Sequence, residues 1–156
     1  MKWLIRALFV LSFNAQGYEL YLVRHFEKQA DSKNPSLTEQ GMARAQSLAT
    51  LLADKDIQHI FSTDYKRTQQ TAQPLSKQLG INITSYSPRD LNGFASQLLN
   101  TKQTSLIVGH SNTTPELLAL LGGDAKPIAE DQYGELFILI VLLNTVTTQS
   151  VRVGNP

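Results

Sequence analysis

The 156-residue chain has no cysteine, three histidines, and charges that nearly cancel, with 14 Lys and Arg against 13 Asp and Glu. Without cysteine there is no disulfide framework and no thiolate chemistry, a composition suited to an oxidising compartment and equally to the cytosol. Three histidines with no cysteine and no H-x-x-x-H pair fall short of the three or four convergent ligands a metal needs, so neither a metal nor any cofactor is expected. The balanced charge and the lack of a basic tract argue against a nucleic-acid partner or binding to an acidic membrane surface. Glycines are missing after the first strand, which excludes dinucleotide and phosphate-loop motifs, and no G-x-S-x-G elbow is present. Repeats, linkers and low-complexity tracts are absent too. What remains is 42% hydrophobic and 17% charged, the balance of a folded chain with one core.

The amino terminus stands apart. Lys2 and Arg6 precede the apolar run Ala7 to Phe13, and the small residues Ala15 and Gly17 follow, the pattern of a secretory signal cleaved after Gly17. The run is far short of the ~18 residues of a spanning helix, so no stable membrane span is expected. Residues 1–17 are therefore expected to be a signal peptide and residues 18–156 a single domain. The protein is expected to be periplasmic or secreted, or cytoplasmic if the leading segment is retained.

Within the domain, apolar runs alternate with amphipathic ones. Tyr18 to Arg24 reads as a first strand. A polar loop from Glu27 to Ser36 leads to a helix carrying Met42, Ala45, Ala49 and Leu52 at helical spacing, with Ser36 and Glu39 as a capping box. His59 to Phe61 reads as a strand, and Ser62-Thr63-Asp64 opens a helix that ends at Gly80. A strand near Ile81 to Tyr86, a helix from Asp90 to Asn100 and a strand from Thr104 to Val108 follow. Ser111, Asn112 and Thr113 can cap a further helix, with Pro115 in its first turn and Gly122-Gly123 at its end. Leu136 to Leu143 and Val146 to Val153 form a hairpin turned at Asn144-Thr145. The expected fold is α/β in three layers: a mostly parallel central sheet, an antiparallel C-terminal edge strand, and helices on both faces.

This topology sends strand ends and helix starts to one rim, where open sheets bind ligands. Arg24 and His25 follow the first strand, Arg67 lies in the first helical turn after the second, and His110 follows the fourth. Two guanidiniums, two imidazoles and a helix N-terminus suit phosphate, because arginine forks match its oxygens and stay charged. Neighbouring cations bias a histidine toward neutral imidazole, a nucleophile able to attack a phosphoryl group. The leaving alcohol then needs an acid, for which Glu27 and Asp90 are the candidates. Ser111 is a further phosphate contact. Glu130-Asp131-Gln132-Tyr133 reads as a solvated loop, and His59 reads as structural.

These residues resemble the histidine phosphatase superfamily, with its phosphoglycerate mutase-like fold, as a short uncapped branch. Leu22-Val23-Arg24-His25 with Glu27 is similar to its opening Arg-His-Gly motif, and Leu37 to Gly41 to its helix-opening block. Ser62 to Ala72 resembles the second-arginine block, and Val108 to Ser111 the second-histidine block. The resemblance implies that His25 is the phosphorylated nucleophile, that Arg24, Arg67 and His110 complete the phosphate pocket, and that Glu130-Asp131-Gln132-Tyr133, in the loop before the Leu136 strand, can rim it. Three departures matter. Phe26 replaces a small residue and is expected to narrow or reshape the entrance. Ser111 stands where many phosphatases carry an acidic residue. Asp90 lies roughly where mutase-like members place a Glu, while Glu27 occurs in short members reading Arg-His-x-Glu-Lys. Only about 24 residues separate Gly80 from Ser105, which leaves no room for an inserted cap and favours hydrolysis over retention of an intermediate. The expected activity is metal-independent hydrolysis of phosphomonoesters or phosphohistidine on a small-molecule or protein substrate. The alternatives are an inactive phosphate-binding module and a phosphotransferase or mutase.

Overall fold

A computed structural model describes residues 16–30 and 32–154; the leader expected over residues 1–17 lies outside them except for its last two residues. Strand β1 (Tyr18–Arg24) is followed by α1 (Glu39–Leu52), β2 (His59–Ser62), α2 (Lys66–Leu79) and β3 (Ile83–Ser85). Then come α3 (Leu91–Thr101), β4 (Ser105–Gly109), α4 (Thr113–Leu120), β5 (Glu135–Leu142) and β6 (Thr145–Arg152). The sheet order is β3-β2-β4-β1-β5-β6. The first four strands run parallel, β5 runs antiparallel to β1, and β6 returns antiparallel to β5. The antiparallel portion expected at the edge thus begins one strand earlier, at β5.

The central strands are apolar at successive positions because both sheet faces are covered. Alternate residues of β1 separate cleanly: Leu20 and Leu22 pack with α3 and α4, while Tyr21 and Val23 pack with α1 and α2. In β4, Ile107 joins the first group and Leu106 and Val108 the second. Full burial of each such side chain is worth roughly 1.5–3 kcal/mol, so these two strands hold the layers together. Both edges differ from this centre: β3 has only three residues, and β6 is largely exposed.

Several local expectations shift. Thr38, not Ser36, caps α1, its side chain accepting from the Gly41 backbone N–H. Helix α2 is preceded by Tyr65, which makes no side-chain cap; the Thr63 and Thr68 hydroxyls turn inward instead. Asn112 stands at the cap position of α4 but its side chain forms no cap bond, and the Thr113 hydroxyl accepts from the His110 N–H at 3.0 Å. Leu143 leaves β5 and enters the hairpin turn with φ 55°. Between α2 and β4 the chain forms only β3 and α3, with no inserted helical cap.

Candidate active site

Strand register creates the site. Arg24 pairs with Gly109 across β1 and β4, and the His25 N–H donates to the Gly109 carbonyl at 2.9 Å. The two residues that follow this pair, His25 and His110, therefore leave the sheet side by side, with ring centroids 5.6 Å apart. Gly109 is required at this crossing, since a Cβ there would lie 2.9 Å from the Tyr86 hydroxyl and 3.1 Å from both the Thr113 and Thr114 hydroxyls. Helix α2 brings in Arg67, whose Nη2 lies 3.4 Å from His110 Nδ1. Arg24, His25, Arg67 and His110 thus line one cleft of about 410 Å³, together with Ser111.

Each imidazole has a defined proton position. His25 Nδ1 lies 2.8 Å from the Phe26 carbonyl, which can only accept, so Nδ1 carries the hydrogen and Nε2 keeps a free lone pair. Arg67 can only donate to His110 Nδ1, which leaves the proton of the neutral ring on Nε2. That nitrogen donates to the Thr63 hydroxyl at 2.8 Å, Thr63 donates to Thr68 at 3.0 Å, and Thr68 ends the chain on a backbone carbonyl. Burial, opposed in part by the Phe26 carbonyl and reinforced by Arg24, Arg67 and His110, pulls the His25 pKa down to about 3. Burial followed by the charges of Arg67 and Arg24 takes His110 to about 4. Both rings are neutral at ordinary pH.

The guanidiniums are held but not satisfied. Arg24 is buried and donates through Nη1 to the Ala129 and Gln132 carbonyls, each at 2.8 Å, and through Nη2 to Glu130 at 3.1 Å. Tyr133 covers its face at 4.3 Å, and Tyr65 covers Arg67 at 4.6 Å. The Nε atoms of both arginines are buried and meet no acceptor among the described residues. A buried charged donor without a partner is costly, and an oxyanion bound between the two arginines would relieve it.

Other expected residues take different places. Glu27 accepts from Arg44 Nη2 at 2.6 Å and from Nε at 3.1 Å, tying the loop after β1 to α1 outside the cleft. Asp90 caps α3, accepting from the Gly93 N–H at 3.0 Å, and faces a separate hollow beside Phe61 and Phe94. Phe26 does not narrow the entrance: its ring is fully buried among Leu37, Ala45 and Leu48 on the α1–α2 side. One position past His25, the chain has turned its side chain into the core. The segment read as a solvated loop is exposed at Glu130, Asp131 and Gln132, and it also reaches the site: Arg24 donates to its backbone, and Glu130 lines the cleft, its Oε1 accepting from Ser111 Oγ at 2.5 Å. Sequence reasoning also passed over Thr63, Tyr65, Thr68, Lys28 and Arg89. The first three lie inside the second-arginine block, where the sequence marks Arg67 by its charge and Thr63 only as part of a helix opener.

No group of His, Cys, Asp and Glu side chains that could hold a metal occurs among the described residues. No helix among them is long and apolar enough to cross a membrane.

Comparison with known proteins agrees with this architecture. The model of the histidine phosphatase superfamily (branch 1) matches residues 20–88, from β1 through the segment after β3. A Yersinia pestis protein named "Probable phosphoglycerate mutase GpmB" is 37% identical over 83 residues, covering 47% of this chain and 38% of that protein. The match thus spans well under half the length of this curated relative. A mycobacterial glucosyl-3-phosphoglycerate phosphatase shares the fold with TM-score 0.65 and 13% identity, covering 90% of this chain and 100% of that one. The protein histidine phosphatase SixA, solved in complex with tungstate, gives TM-score 0.69 and 14% identity over 86% of this chain and 96% of its own. The chain is thus similar to the histidine phosphatase superfamily in its amino-terminal part and shares the fold of these solved phosphatases across nearly its whole length.

Proposed function

We propose that the protein is a metal-independent phosphomonoesterase that passes the phosphoryl group through His25. The observation that carries this reading is the state of His25: a neutral ring whose Nδ1 is committed to the Phe26 carbonyl, leaving Nε2 as a nucleophile between two arginines with unsatisfied donors. Arg24 and Arg67 neutralise the phosphate oxygens, and their fixed positions require little reorganisation as charge spreads in the transition state. Attack by Nε2 expels the alcohol and forms a phosphohistidine, which water then hydrolyses to inorganic phosphate. His110 contributes as an oriented neutral ring beside the phosphoryl group, held by Thr63 and Arg67.

The absence of a cap between α2 and β4 supports hydrolysis over mutase chemistry, because a mutase must shelter its intermediate from water. SixA's tungstate complex fits a fold that holds a tetrahedral oxyanion. The test is turnover of an aryl phosphate with a chelator present. His25→Ala should abolish turnover, and a quenched reaction of the native protein should yield an acid-labile phosphoryl adduct on His25. Tight phosphate binding with no turnover would instead identify a binding module, and turnover that survives His25→Ala would overturn the nucleophile assignment.

A further inference from the structure

We propose that Glu130 is the proton carrier of the reaction, giving its proton to the leaving alcohol and taking one back from the attacking water. The inference rests on the phosphohistidine reading of His25.

In-line displacement puts the leaving oxygen on the side of phosphorus away from the nucleophile. His25 is 3% exposed and forms the floor of the cleft, so that side faces solvent. A proton donor must therefore stand at the mouth. Glu130 does, with its side chain 81% exposed and its carboxylate anchored at the cleft's edge by Arg24 Nη2 and Ser111 Oγ. It is the only carboxylate lining this cleft among the described residues. The rival acids are committed elsewhere, Glu27 to Arg44 and Asp90 to the start of α3.

The anchoring contacts also explain how the carboxyl changes state. The Ser111 hydrogen bond and the Arg24 charge hold the Glu130 carboxyl below its ordinary pKa. A phosphate ester uses those same donors. Its arrival offsets the arginine charge and frees the carboxyl, on an exposed and flexible arm, to move toward the ester oxygen. Both changes raise the proton affinity of Glu130 where the proton is needed.

The steps balance. As the His25 Nε2–P bond forms and the P–O ester bond breaks, the protonated Glu130 carboxyl delivers its hydrogen to the ester oxygen, releasing the alcohol and leaving a carboxylate. Water then attacks phosphorus, its proton passes to that carboxylate, and the P–N bond breaks to return neutral His25 and inorganic phosphate. The proton Glu130 delivers is taken up from the ester monoanion as the substrate docks and displaces the Arg24 and Ser111 contacts; after hydrolysis Glu130 is protonated again and returns that proton to the departing phosphate, restoring the carboxylate that Arg24 and Ser111 hold.

The test compares Glu130→Gln with the native protein on two esters, 4-nitrophenyl phosphate, whose leaving group needs little protonation, and a simple alkyl phosphate, whose alkoxide does. The variant should lose about 100-fold or more in kcat/KM on the alkyl ester and less than tenfold on the aryl ester, within the contribution expected of a general acid. Equal losses on the two esters would mean that Glu130 only binds substrate, and no loss on either would mean that it does nothing; both overturn the proposal. If the native protein fails to turn over either ester, the parent reading falls and this one with it, which separates the two failures.

Discussion

Single atoms set the chemistry of this site. The Phe26 carbonyl fixes which nitrogen of His25 is free, and the Thr63 hydroxyl does the same for His110. Because burial leads the lowering of both pKa values, imidazole NMR titration of the free protein should find His25 and His110 neutral throughout the range near 6.5 where exposed histidines titrate, with midpoints near 3 and 4. A midpoint for His25 close to 6.5 would mean that the ring is not desolvated as described. Thr63→Val removes the acceptor of the His110 proton while keeping volume. It should cost about 1–3 kcal/mol of stability, lower kcat/KM about tenfold or more, and alter the His110 nitrogen shifts. Thr63→Ser should restore both the shifts and the rate, an outcome a purely packing role for Thr63 would not produce. Four chemical residues, Arg24, His25, Arg67 and His110, were legible because each sits at a fixed offset from a strand end. The direction of Phe26 and the inward turn of Thr63 were not, since one residue of backbone rotation decides which side of the rim a side chain enters.

At the level of elements, the loop after β1 is pinned rather than free. Glu27 and Arg44 join it to α1, and Arg44 Nη1 donates to the Val153 carbonyl at 2.6 Å, extending the tie to the residue after β6. Glu27→Ala would leave the buried Arg44 guanidinium without its carboxylate, an arrangement that costs about 3 kcal/mol or more, readable as a lower denaturation midpoint. If Glu27 acted in proton transfer instead, stability would stay near normal while alkyl-ester turnover collapsed. The crossing of β4 into α4 is equally constrained. Gly109→Ala should both destabilise the fold and displace His110, because the new methyl would meet the Tyr86, Thr113 and Thr114 hydroxyls. Strand and helix identities were readable from apolar periodicity, whereas capping was misplaced from Ser36 to Thr38. Local sequence offers several hydroxyls near a helix start, and only packing of the loop against the helix selects one.

Across the whole molecule, two neutral histidines, the buried His25 and the half-buried His110, couple the fold to pH. Their folded pKa values lie below the 6.5 of an unfolded chain, so between about pH 6.5 and pH 4 the unfolded state binds more protons than the native one. Stability should therefore fall as the pH drops through that window, and the histidine contribution should level off below about pH 3. Denaturant titrations at a series of pH values check this, and replacing His25 with Gln should flatten the slope by removing one of the two groups. An unchanged slope would locate the acid sensitivity elsewhere.

Sequence alone determined the alternation of strands and helices, and hence the layered sheet with its reactive rim, because apolar periodicity is a local property of the chain. It also named both arginines and both histidines of the cleft, since the topology sends all strand ends of one kind to one edge. Tertiary structure decided which carboxylate stands at the cleft. Glu27 and Asp90 are close to the site in sequence yet are drawn to Arg44 and to the start of α3, whereas Glu130, 105 residues beyond His25, is brought to the cleft by its contacts with Arg24 and Ser111. Which partner a charged side chain takes depends on distances that only packing sets, and no spacing along the chain records them.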